Sequence, residues 1–322
     1  MSNPATTLDG IGGYLPERIV SNQELATRVD TSDEWIRERT GITQRHIAAP
    51  HETAAFMGEQ AARRALDAAG IEAGSVDAII VATSTPDQGF PATAVTIQSA
   101  LGITAGFAFD ISAACSGFVY AASIADAMIR AGQCRTALVI GTEVYSRILN
   151  WQDRGTCVLF GDGAGAAVLR ANTADAPRGI ISTHIHADGR FGDILYIDGA
   201  TGQTGKPQHL VMNGREVFRH AVPKLAGAVD EALKANGLGH ADIDWLVPHQ
   251  ANRRIIDAMG KRLNLQPEQV VVTVDRHANT SAASIPLALD DAMRDGRIKP
   301  GHLILIEALG GGLTWGSALI RM

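Results

Sequence analysis

An α/β fold of two similar halves is predicted by three features: short Val- and Ile-rich runs, longer Ala-rich segments between them, and an ordered internal similarity. The runs Ala78 to Ala82, Ala137 to Gly141, Trp245 to Val247 and Leu303 to Ile306 are apolar throughout, the pattern of strands buried on both faces. Thr53 to Ala69, Ser116 to Arg130, Val217 to Asn236 and Ser284 to Arg294 have the length and composition of helices. Gly70, Gly132, Gly237 and Gly296 follow them as C-cap residues. Strand alternating with helix predicts parallel pairing through right-handed crossovers.

The internal similarity sets Arg64-Ala-Leu-Asp-Ala-Ala-Gly70 beside Glu231-Ala-Leu-Lys-Ala-Asn-Gly237, and Asp77 beside Asp244, both at an offset of 167. A second pairing sets Cys115 to Gly132 beside Asn279 to Gly296, with Asp126-Ala-Met128 against Asp291-Ala-Met293 at 165. A third sets Gly161-Asp-Gly-Ala-Gly165 beside the Gly310 to Gly316 segment. Together they predict a duplicated architecture with halves 1–172 and 173–322.

A length of 322 residues permits a sizeable core, and 46% hydrophobic with 19% charged residues excludes a disordered or fibrous chain. Aromatics are only 5% against 34 glycines, which predicts layers packed closely through small side chains. The net charge of −6 argues against a general nucleic-acid binder. Apolar stretches stay short of the roughly 18 to 20 residues a membrane helix needs, and Met1 to Gly10 lacks a secretory pattern. Three scattered cysteines, Cys115, Cys134 and Cys157, suit neither a disulfide framework nor a thiolate metal site, so the expected compartment is the cytoplasm.

Cys115 lies in Asp110-Ile-Ser-Ala-Ala-Cys-Ser-Gly-Phe118, just before a helical segment. Unpaired N–H groups and the helix dipole there favour a nucleophilic thiolate. An inert buried thiol is the alternative, and it is the reading for Cys134 and Cys157. His249 follows a strand in Leu246-Val-Pro-His-Gln-Ala-Asn252, where sites in such sheets collect. Asn279, in His277-Ala-Asn-Thr-Ser-Ala-Ala-Ser284, begins by the second pairing the helix that mirrors the one after Cys115. A surface histidine and a plain Asn N-cap are the bland readings. Gly310-Gly-Gly312 suits either a flexible turn or backbone donors at an oxyanion. No dinucleotide fingerprint and no metal-ligand spacing is present, so neither a nicotinamide cofactor nor a metal is expected.

Further segments are Thr31-Ser-Asp-Glu-Trp-Ile36, Arg39-Thr-Gly-Ile42, Asp153-Arg-Gly155 leading to Phe160-Gly-Asp-Gly163, Pro248-His-Gln-Ala-Asn252, Asn279 to Ser284 and Gly310 to Gly316. With the Cys115 segment, and nearly end to end, the sequence resembles the β-ketoacyl-acyl-carrier-protein synthase III family, initiating condensing enzymes of bacterial fatty-acid synthesis. That resemblance implies a thiolase-like, five-layered α-β-α-β-α fold. It implies Cys115 as nucleophile and His249 with Asn279 as the decarboxylation pair, with the N–H groups of Cys115 and Gly311 as oxyanion hole. No resident cofactor is implied, since acyl-CoA is a substrate. Trp35 and Arg154 would sandwich the CoA adenine, with Thr31 and Arg39 nearby and Asn252 on the pantetheine arm. Arg219, Arg253, Arg254, Lys261 and Arg262 would receive malonyl-acyl carrier protein, unless they are merely a solvated face. Phe90 would reach the acyl pocket of a partner subunit in a homodimer and, being bulky, favour a short primer such as acetyl.

Three rivals stay open on the sequence. A starter synthase of quinolone or polyketide type would use the same residues with another acyl-CoA. A cysteine hydrolase would use Cys, His and Asn differently, though its local Cys signature is lacking. A silent scaffold would leave the three flanks without a purpose.

Overall fold

The computed structural model describes residues 5–172, 178–198 and 208–322. The chain runs through β1 (Ala5–Tyr14), β2 (Ile19–Ser21), α1 (Asn22–Leu25), α2 (Asp33–Thr40), β3 (Gln44–His46), α3 (Ala54–Ala69), β4 (Ala78–Ala82), α4 (Thr93–Ala100), β5 (Phe107–Ile111), α5 (Gly117–Arg130), β6 (Thr136–Val144) and β7 (Asp162–Asn172). It continues as β8 (Gly179–Ala187), β9 (Leu195–Asp198), β10 (His209–Met212), α6 (Gly214–Ala235), β11 (Trp245–Pro248), α7 (Arg253–Arg262), α8 (Val274–His277), α9 (Ser284–Arg294), β12 (Leu303–Gly310) and β13 (Thr314–Arg321). The start expected for the second half, residue 173, lies outside the described residues.

One sheet has the order β1-β7-β6-β4-β5 and a second the order β11-β12-β13-β8. Parallel β4 and β6 set Ala78 opposite Ala137, and parallel β11 and β12 set Trp245 opposite Ile304, a shift of 167 at both partners. Even the irregularity repeats: β1 skips Asp9 against β7, and β8 skips Ile181 against β13. The counterpart of β5 is reduced to a bridge between Leu246 and Val270. Both sheets are mixed, which corrects the expectation of parallel pairing throughout. β6 returns as β7, and β12 as β13, without an intervening α-helix, and a return of that kind is antiparallel.

The helices α3 and α4 cover the outer face of the first sheet, α5 and α9 lie between the sheets, and α6 and α7 close the far side, giving the layers α-β-α-β-α. Ile80, Val139, Phe118, Ile285, Ile304 and Ile306 belong to the core between the sheets. Small residues bring the central helices together. A Cβ on Gly117 would stand 2.8 Å from the Ala82 Cβ and 3.3 Å from the Ala282 Cβ, and one on Gly141 would meet the Ala282 carbonyl at 2.2 Å. The turns Ala114–Ser116 and Ser281–Ala283, which lead into α5 and α9, therefore face each other across the molecule's centre.

Candidate active site

Cys115 occupies the turn before α5 and is buried. Thr314 Oγ1, at the start of β13, donates to the Ala113 carbonyl at 3.0 Å and stands 2.8 Å from Ser116 Oγ, which fixes this turn against the second sheet. The resting thiol is not the thiolate expected at a helix start. Burial pushes its pKa up to about 12, and the nearby Glu143 carboxylate acts in the same direction. α5 begins two residues later, at Gly117, and desolvation is the largest influence on the thiol, ahead of the Ser281 hydroxyl that acts the other way.

The structural counterpart of Cys115 is Ala282, not Asn279. Ala114 and Ser281, 167 positions apart, share a positive φ, 45° and 51°, and each opens the turn that feeds its helix. The second pairing slipped because α9 has 11 residues and α5 has 14, so matching the capping glycines displaces the starts by one turn. Asn279 nevertheless reaches the site. Its N–H donates to the Leu159 carbonyl at 2.9 Å and its carbonyl accepts from Gly161 at 3.0 Å. Its Oδ1 accepts from the Ser281 N–H at 2.8 Å, so the amide turns Nδ2 away from that bond.

His249 follows β11, and its N–H donates to the Glu307 carbonyl at 2.8 Å. The ring is buried, which lowers its pKa to about 3 and keeps it neutral. Ser284 Oγ lies 2.6 Å from Nδ1 and accepts from the Gln250 N–H at 3.3 Å. Either partner can donate in the Ser284–Nδ1 bond, and when the hydroxyl donates, the imidazole proton stands on Nε2.

Cys115, His249, Asn279 and Glu307 line one cavity, which extends past Asn252 and Phe218. Cys115 also lines a second cavity with Gly311, Tyr145 and Leu195. The thiol thus stands where two cavities meet. Two carboxylates in this neighbourhood were missed from sequence. Burial raises Glu307 to about 8 and Glu143 to about 7. A lone Glu near the end of a strand buried on both faces was the available sign of each.

Trp35 sits in α2, whose N-cap Ser32 accepts from the Trp35 N–H at 3.1 Å. The guanidinium carbons of Arg39 and Arg154 lie 4.6 and 4.8 Å from its ring centroid, and Arg154 Nη1 donates to the Asp30 carbonyl at 2.8 Å. Thr31 Oγ1 is buried without a partner. Asn252 caps α7 through Oδ1 and borders the first cavity. Arg219 lies on α6 and Arg253, Arg254, Lys261 and Arg262 on α7, two helices that pack together. Three of these cations are already engaged, Arg219 by Glu216 at 2.6 Å, Arg253 by Asp257 at 2.7 Å and Arg262 by Asp230 at 3.4 Å. Phe90 is 88% exposed and lies outside the two cavities that meet at Cys115. Among the described residues no group of His, Cys, Asp and Glu could hold a metal, and no helix is long and apolar enough to cross a membrane.

Residues 109–189 match the family model described as 3-oxoacyl-[acyl-carrier-protein] synthase III, and residues 233–322 match that family's C-terminal model. The chain is 83% identical to the β-ketoacyl-[acyl-carrier-protein] synthase III of Acidiphilium cryptum, over 98% of this chain and 99% of that one. It is 68% identical to the protein of the same name from Granulibacter bethesdensis, over 97% and 98%. Among solved structures it resembles 3-oxoacyl-[acyl-carrier-protein] synthase III from Aquifex aeolicus, with TM-score 0.94 and 44% identity over 98% of this chain and 100% of that one. It equally resembles the priming β-ketosynthase of the R1128 polyketide pathway, with TM-score 0.94 and 40% identity over 99% and 97%. With the fold, the buried Cys, His and Asn, and these likenesses in agreement, the chain belongs to the β-ketoacyl-[acyl-carrier-protein] synthase III family.

Proposed function

We propose that this enzyme moves a short acyl group, acetyl in the first instance, from coenzyme A to Cys115 and condenses it with malonyl-acyl carrier protein. The products are β-ketoacyl-acyl carrier protein, CoA and CO₂. The reading rests above all on the Cys115 thiol standing at the junction of two cavities beside a neutral His249 and the Asn279 amide. Residues 1–172 then supply the nucleophile, and residues 173–322 the two donors.

In the first half-reaction the Cys115 sulfur attacks the thioester carbonyl. The oxyanion accepts from the N–H groups of Cys115 and Gly311, and CoA leaves through the first cavity. In the second, the malonyl unit enters by the same route. Loss of CO₂ places negative charge on the thioester oxygen, and the Nε2–H of His249 and an Nδ2–H of Asn279 meet it. The carbanion attacks the acyl-cysteine. Decarboxylation creates the nucleophile, and fixed dipoles in a buried site hold the charge, so acyl-CoA is a substrate and no resident cofactor is used.

Trp35 and Arg154 clasp the adenine, which takes the place the guanidinium now holds above the indole, with Thr31 and Arg39 beside it and Asn252 on the pantetheine. The cations of α6 and α7 receive the acidic carrier protein. In a homodimer the exposed Phe90 fills the end of its partner's second cavity and limits the acyl chain. The cycle runs in the cytoplasm, with no part for a membrane or a nucleic acid.

The test is intact mass spectrometry after incubation with a panel of acyl-CoAs. Acetyl should add to Cys115 and be discharged by malonyl-acyl carrier protein with release of CO₂, while Cys115→Ser stays unmodified. A longer or aryl adduct in place of acetyl would move the enzyme to starter synthesis, as in the R1128 relative. Absence of any adduct sinks the covalent mechanism.

A further inference from the structure

Glu143 is the last residue but one of β6, a strand whose residues are all buried, and the cycle above gives it no part. Its Oε2 is fully engaged, accepting from the Ser84 N–H at 3.0 Å, Thr85 Oγ1 at 2.8 Å and Thr83 Oγ1 at 3.4 Å. Its Oε1 is buried and makes no hydrogen bond of ordinary geometry, although the Ser281 hydroxyl and the Ala282 N–H stand close enough to act on the carboxylate. Ser281 Oγ, likewise buried and without a bond of ordinary geometry, faces the Cys115 thiol, the Glu143 carboxylate and the Tyr145 hydroxyl. The Ser281 backbone is pinned by its N–H on Asn279 Oδ1 at 2.8 Å. Two buried polar atoms that face each other without a well-formed hydrogen bond, beside a nucleophile that must lose a proton, call for a common explanation.

We infer that Glu143 is the proton acceptor for Cys115, reached through the hydroxyl of Ser281; this deepens the acyl-transfer reading and rests on it. As the Cys115 S–C bond forms, the S–H bond breaks and its proton passes to Ser281 Oγ. Ser281 gives its own proton to Glu143 Oε1. When the bond to the CoA sulfur breaks, the proton returns along the same path to the departing thiolate, so the step yields acyl-cysteine and CoA thiol with nothing left over. Charge explains the pairing. A thiolate beside a carboxylate would bury two adjacent anions, whereas proton transfer keeps one negative charge in the pocket and only moves it. Burial holds Glu143 at about 7, within reach of use as a base near neutrality. The titratable groups facing it are Cys115 and Tyr145, and burial keeps the phenol protonated.

The experiment times acetyl transfer to Cys115 by rapid-quench mass spectrometry between pH 6 and 9, and separately times discharge of pre-acetylated enzyme by malonyl-acyl carrier protein. In Glu143→Gln and in Ser281→Gly the acylation rate should fall about 100-fold with little change in KM for acetyl-CoA. Its rise with pH through about 7 should vanish, and discharge should stay near the wild-type rate. Glycine suits the φ of 51° at Ser281, so that variant decides the matter if Glu143→Gln does not fold. If Glu143 were only a charge opposing the thiolate, Glu143→Gln would acylate faster, which overturns the relay. Equal loss of both half-reactions overturns it too, as a sign of a structural role. A wild type that never acylates defeats the acyl-transfer reading instead.

Discussion

At His249 a single hydroxyl decides what the imidazole can do. A neutral ring donates from one nitrogen only, and a Ser284 hydroxyl that donates to Nδ1, 2.6 Å away, leaves Nε2–H for the cavity. Asn279 is set the same way, with Oδ1 spent on the Ser281 N–H. Removing either donor, in His249→Ala or Asn279→Ala, should slow CO₂ release from malonyl-acyl carrier protein by roughly 100- to 1000-fold. Acetyl transfer to Cys115 should persist in both, and a selective loss of acylation would show the roles reversed. Cys115, His249 and Asn279, which line one cavity, could be picked out as candidates because each sits in a distinctive local flank. Glu143, Ser281 and Ser284 were not, since their partners come from segments far away in sequence. Ser281 touches Glu143 only after the two sheets close on α5 and α9. The thiolate expected at Cys115 failed for a related reason, because the depth of burial cannot be read from a helix start.

The helix α7 carries four of the five cations proposed for the carrier protein, and ion pairing sorts them. Arg253 and Arg262 already face carboxylates, whereas Arg254 donates only to the Glu38 carbonyl at 3.4 Å and Lys261 makes no ion pair among the described residues. A free surface cation contributes its full field to an approaching acidic partner, while a paired one is partly cancelled. Arg254→Glu and Lys261→Glu should therefore each raise KM for malonyl-acyl carrier protein about tenfold at low salt. Arg253→Glu should do less, KM for acetyl-CoA should hold, and the differences should shrink as salt is added. Equal effects at all three sites would remove the distinction. Element boundaries were legible where composition changed abruptly, as at β4, found as Ala78–Ala82, and α9, found as Ser284–Arg294. The expected strand at Ala137 to Gly141 runs on as β6 to Val144, and that at Leu303 to Ile306 as β12 to Gly310. Both extensions pass through residues that read as polar or turn-forming, and the antiparallel partner strand, β7 or β13, holds each of them extended. Tertiary context overrides local propensity there.

At the scale of the whole molecule, Glu307, Glu143, His249 and His277 are buried with large shifts, and their linkage contributes to how stability varies with pH. Glu307 and Glu143 are raised from 4.5 to about 8 and about 7, so the folded state keeps protons that the unfolded state releases. Their contribution is complete below 4.5 and is lost as pH rises through those values. His249 and His277 are lowered from 6.5 to about 3 and about 4, and there the unfolded state binds the extra protons. Their contribution is complete above 6.5 and is lost as pH falls through 4 and then 3. The joint contribution of these four groups should accordingly be greatest between 4.5 and 6.5, below neutrality. Glu307→Gln isolates one arm of this curve, since the amide never ionises. Its Tm should match the wild type at pH 4.5 and exceed it by about 2 °C or more at pH 8, measured by calorimetry at matched ionic strength. Parallel Tm curves for the two proteins from pH 4.5 to 9 would mean that Glu307 ionises in the folded state as readily as in the unfolded one. The buried, unpartnered Oε2 argues against that, because a carboxylate there would have no donor on that oxygen to stabilise its charge.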